Sequence, residues 1–186
     1  MTITRDEASQ ALGEIDAAAG RATEFKTYAA MAPFLMIWGL VWMVCDVLNQ
    51  FEPGWGLAWP IGVGIGTVAC IILGVLMPRE RSTPAERANS WRHFGSWMLV
   101  IAFIFCLFLV LPITRMREEH SLFGLVFGFI YVALGIWTGW RMAALGVALI
   151  VLTLVGFFAV GHWYSLYMGL VSGGALLLGG VWLRRV

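Results

Sequence analysis

The chain has 186 residues, 60% of them drawn from Ala, Val, Ile, Leu, Met, Phe, Trp, Tyr and Cys, only 12% charged, and a formal net charge of +1. A soluble domain carries about 25% charged residues, so the composition excludes a water-soluble globule, a disordered chain, a nucleic-acid-binding domain and a disulfide-stapled secreted domain. It is the composition of an integral membrane protein with membrane lipids as its first partners and no nucleic acid among them.

The N-terminal segment differs in kind from the rest. Thr4-Arg5-Asp6-Glu7 has the pattern of a capping box, with Thr4 as N-cap and Glu7 reaching back. Behind it Ala8, Leu12, Ile15, Ala19, Ala22 and Phe25 recur at three- and four-residue steps, which predicts one narrow apolar face of a helix over 1–28. The opposite face carries Glu14, Asp16, Arg21 and Glu24. Interfacial helices favour basic residues, whereas this segment is acid-rich. It therefore reads either as a cytoplasmic amphipathic helix that continues into the first span or as a helix that binds a protein partner or a second copy of the chain. The first 26 residues carry eight formal charges, and nothing there has the apolar core of a signal peptide.

Uncharged runs divide the remainder, residues 29–186, into spans. One helical pass needs about 20 residues, and the run Met142–Leu183, 42 residues without formal charge, holds two passes hinged at Gly161-His162-Trp163. The expectation is an all-α, polytopic protein with six transmembrane helices in one bundle, at about 29–49, 57–77, 94–113, 121–140, 142–161 and 163–183. Ten of the 12 basic residues fall on one side of this arrangement, leaving Arg115 and Arg117 on the other. That bias predicts both termini to be cytoplasmic. The loop over 78–92 carries four arginines, and Thr83-Pro84-Ala85-Glu86 predicts a short helix in it, a second place where a protein partner would bind.

The fourth and sixth spans share a pattern. Ser121-Leu122 aligns with Ser165-Leu166 at an offset of 44; then Gly124-x-x-x-Gly128 aligns with Gly169-x-x-x-Gly173, and Gly135-Ile136-Trp137 with Gly180-Val181-Trp182, at an offset of 45. The second span has a looser version around Gly62 and Gly66. Duplicated hairpins would produce this, giving three related hairpins. Small residues four apart let helix backbones approach in lipid, so Gly62, Gly66, Gly124, Gly128, Gly135, Gly169, Gly173 and Gly180 are expected to pack helices, with Gly135-x-x-x-Gly139 as one such step.

Candidate chemistry is sparse. Every formal charge can lie at or beyond a span boundary, which leaves Thr67, Tyr131, Thr153 and Ser172 as the mid-membrane polar groups, together with Cys70 and Cys106. Such groups either bond their own or a neighbouring helix or line a solute path. The three cysteines, Cys45, Cys70 and Cys106, have neither metal-ligand nor redox spacing. At the outer ends of the spans His120 and His162 lie near Glu119 and Asp46, a set able to bind a divalent metal and otherwise read as solvated loop residues and caps. Arg115-Met116-Arg117-Glu118-Glu119 reads as a solvated, self-neutralising loop. No catalytic constellation and no cofactor motif is present in the sequence.

Trp38-Gly39-Leu40-Val41-Trp42 and Gly179-Gly180-Val181-Trp182-Leu183-Arg184-Arg185 are similar to motifs in a loose set of small bacterial six-span proteins. The resemblance implies a multi-pass protein of the bacterial inner membrane and carries over no activity and no functional residue. The leading functional reading is a non-enzymatic accessory, regulatory or scaffold component, with possible self-association. The alternative is a small channel or carrier for an uncharged or weakly polar solute, and an enzyme working at the outer face ranks third. A continuous polar cavity at mid-depth would separate the first two.

Overall fold

The computed structural model describes residues 4–52, 57–77, 99–100, 102–104, 106–107, 110–111 and 116–185. The 78–92 loop, His93 and Arg115 lie outside the described residues, and so does much of the third expected span, whose described residues 102–104 are helical. What is described is an all-α, membrane-spanning bundle in which five helices are long and apolar enough to cross a bilayer.

Helix α1, Arg5–Phe51, is a single helix of 47 residues, roughly 70 Å at 1.5 Å per residue. It starts directly after Thr4 and runs through residues 28 and 29 without a break. Its interior Pro33 leaves the carbonyl of Ala29 without its helical donor, an arrangement that membrane helices accommodate. Helix α2 is Ala58–Leu76, α3 is Met116–Thr138 and α4 is Trp140–Ala159. Helix α5, Tyr164–Arg184, is α-helical at both ends and π-helical over Met168–Gly173.

Two antiparallel pairs dominate the packing, α3 with α4 and α1 with α5, while α2 lies at the edge against α1. Glycine sets both pairings. A Cβ at Gly173 would lie 2.9 Å from the carbonyl oxygen of Gly39, and one at Gly39 would lie 2.8 Å from the carbonyl oxygen of Gly173, so the two backbones touch directly. Gly180 meets the carbonyl of Ala32 at 2.9 Å, and Gly169 meets Cβ of Asp46 at the same distance. In the other pair Gly124 faces Thr153, Gly128 faces Ile150 and Gly146, and Gly135 faces Ala143. Gly62 and Gly66 rest on Cys45 and Val41 of α1. The close pairs are thus not successive hairpins alone: the chain's first and last helices are partners.

Gly139 does something other than pack. It stands between α3 and α4 at φ 118°, the one described residue with positive φ. A side chain there would be strained and would also collide with Glu24 and Tyr28 of α1. The tight reversal leaves a single residue between two spans. Next to it the Tyr28 hydroxyl donates to Glu24 Oε1 at 2.7 Å, and the Arg141 guanidinium lies 5.2 Å from the ring centroid of Trp182.

Candidate functional site

The chemistry collects at the opposite end of the bundle, where α1 finishes and α3 and α5 begin. Residues 117–119, read from the sequence as loop, are already helical. Glu118 and Glu119 lie in the first turn of α3, where two acids complement the positive end of the helix dipole. That correction brings the next turn inside. His120 and Ser121 are both 6% exposed.

Asp46 Oδ1 approaches His120 Nδ1 at 2.9 Å, and Asp46 is 1% exposed. The expectation of solvated residues fails for this pair. Counting residues placed Asp46 at the edge of its run, but α3, α5 and Trp59 close over it, so neighbours and not chain position decide its burial. The approach is close enough for an ion pair yet lacks hydrogen-bond alignment, and neither atom has a hydrogen-bond partner. Trp59 adds a third such atom: its Nε1 is buried and unpartnered, and its ring lies 5.3 Å from that of His120. Asp46, His120 and Trp59, with Trp42, Phe123 and Met168, enclose a void of about 10 Å³.

Around this centre side chains hold the helix ends. The Ser121 hydroxyl bonds the Tyr164 hydroxyl at 2.5 Å and donates to the carbonyl of Arg117 at 2.6 Å. The Arg117 guanidinium sits 4.8 Å above the Phe157 ring and 5.5 Å from that of Tyr164. Gln50 clasps α5, its Oε1 accepting from the N–H of Leu166 at 3.4 Å and its Nε2 donating to the carbonyl of His162 at 3.3 Å. That bond satisfies one of the orphan donors of a helix N-terminus.

His162 is not part of the cluster. It is exposed in the α4–α5 turn, its ring against Trp163, while Glu119 is half-buried. Of the four outer residues the structure brings together Asp46 and His120 alone. Among the described residues no group of three or more His, Cys, Asp or Glu is placed to hold a metal ion.

The polar groups expected at mid-depth divide in two. Thr153 and Ser172 are fully buried. Thr153 donates to the carbonyl of Leu149 at 2.7 Å and Ser172 to the sulfur of Met168 at 3.4 Å, so they serve their own helices and line no path. Thr67 and Tyr131 do line a cavity of about 730 Å³ bounded by α1, α2 and α3, with Cys70 beside them. Its wall is otherwise apolar and strongly aromatic, with Trp38, Trp42, Trp59, Phe123 and Phe127 prominent. Edge-on contacts order that wall: Trp42 lies 6.5 Å from Trp59 and 6.0 Å from Phe127 between ring centroids. The aromatic residues are dispersed along three helices, and no spacing in the sequence marks them as one surface. No protein-family model, no curated protein and no solved structure matches the chain.

Proposed function

We propose that the protein is a non-enzymatic accessory component of a bacterial inner membrane, working through a helical arm on the cytoplasmic side. The observation that carries this reading is α1. Only about 20 of its 47 residues are needed to span a bilayer, and the rest extend from the bundle as one helix, with Leu12 and Ile15 each 63% exposed. A continuous helix transmits position and orientation from the packed core to whatever the arm grips, and the acid-rich opposite face favours a protein over an anionic lipid surface. The carrier reading has less support. The cavity is almost wholly apolar, and the polar groups that would have continued it, Thr153 and Ser172, are turned to their own helices.

The test is a photocrosslinking amino acid placed at Ile15 in the full chain in its native membrane. The expected result is a discrete protein adduct, identified by mass spectrometry as a second copy or another protein, that disappears when Leu12 is replaced by Glu. Adducts to lipid alone would overturn the reading.

A further inference from the structure

The 730 Å³ cavity and the Asp46–His120–Trp59 cluster adjoin, sharing Trp42, Trp59 and Phe123 as common wall. A volume of this size falls in the range of small-molecule sites, which are apolar chambers with a few polar groups fixing orientation. Here those polar groups are three buried atoms that lack hydrogen-bond partners: Asp46 Oδ1, His120 Nδ1 and Trp59 Nε1. Leaving such groups unsatisfied is costly, and their place at one end of an apolar chamber makes a polar end and an oily end. We propose that the chamber binds a neutral long-chain lipid alcohol, its hydroxyl seated among Asp46, His120 and Trp59 and its chain running along α1 towards Met31 and Leu134.

The chemistry of the three groups selects the head. Trp59 Nε1–H is a donor only and needs an acceptor. Asp46 offers an acceptor and repels a second carboxylate. A hydroxyl satisfies both at once, giving a lone pair to the indole and its proton to the carboxylate. An ammonium head has no lone pair for Trp59, a fatty acid places like charges together, and an alkane leaves all three groups as they are. Arg117, held over Phe157 and Tyr164, does not line the void and supplies no charge for an anionic head. The length is set by α1: Met31 and Trp42 both line the chamber, and the eleven steps between them span about 16 Å, which suits a chain of dodecanol length. This inference goes beyond the accessory reading and is independent of the arm.

The full chain in lipid nanodiscs is titrated with 12-bromododecan-1-ol, whose bromine quenches nearby tryptophan, and with 1-bromododecane as the headless control. Saturable quenching is expected with the alcohol, reversed by dodecan-1-ol and not by dodecanoic acid or dodecylamine. The alcohol should bind on the order of tenfold more tightly than the control. Trp59→Phe keeps the ring face and removes the N–H, and should erase that preference. Competition on the parent protein decides the matter even where the variant does not fold. Linear, non-saturating quenching, or saturable quenching with no preference for the hydroxyl, overturns the proposal.

Discussion

Asp46 and His120 carry the only buried acid–base pair among the described residues, and its worth is a property of the pair. Removing one partner from a buried ion pair leaves a charge without compensation, at a typical cost of 3–5 kcal/mol. Asp46→Ala and His120→Ala should therefore each lower stability by about that amount, and the double variant should fall short of the summed loss by about 0.5–3 kcal/mol. Unfolding of all three variants in one detergent checks it; additive losses would show two independent side chains. This pair was half legible. The four outer residues drew attention as an acid–imidazole set, but charge runs report where a span ends and not what packs over its end. Gly139 was misread for a similar reason. Its spacing from Gly135 fits a packing step, and only the one-residue reversal at positive φ shows that it turns the chain.

At the level of helices, four-residue glycine spacing is local, so the sequence displays it directly, and each of the eight glycines singled out lies within contact reach of another helix. What spacing cannot show is which neighbour is near or how rigid it is. Gly39 and Gly173 face each other's backbone, whereas Gly64 and Gly74 have nothing within 4 Å. Gly173→Ala should cost about 1–3 kcal/mol by overpacking against atoms that cannot turn aside. Gly64→Ala and Gly74→Ala should be neutral or stabilising by up to about 1 kcal/mol through helix propensity. Thermal melts of the three variants side by side give the answer, and equal shifts would remove the distinction. The π-helical turn of α5 was also present in the sequence, as the step in offset from 44 to 45 between Leu166 and Gly169. Hydrogen bonding from i to i+5 takes up one added residue per turn, so an extra residue relative to α3 is absorbed as a bulge. The widened turn lets Met168, Gly169, Ser172 and Gly173 all face inward.

For the molecule as a whole, composition and uncharged runs were enough for an all-α multi-span bundle, because lipid leaves the backbone few alternatives. The runs at 57–77, 142–161 and 163–183 lie where α2, α4 and α5 stand. The chamber was not legible, since its wall is assembled from residues on separate helices and depends on how far apart those helices stand. The continuity of α1 makes a long-range prediction. Nitroxide labels at positions 9 and 48, in a background with Cys45, Cys70 and Cys106 replaced by Ala, should be about 60 Å apart at 1.5 Å per residue. Pulsed electron–electron resonance reads that distance; a much shorter one would mean that the arm folds back on the bundle.

The pairing of α1 with α5 also runs against the order in which the protein is made. Gly39 leaves the ribosome 134 residues before Gly173, and Asp46 leaves it 74 residues before His120. At 5–20 residues per second, the first interval is roughly 7–27 s. Throughout it α1 sits with its glycine stripe unfilled and its carboxylate unanswered, so the nascent protein, not the finished one, is the form that insertion factors must shield and quality-control proteases can recognise.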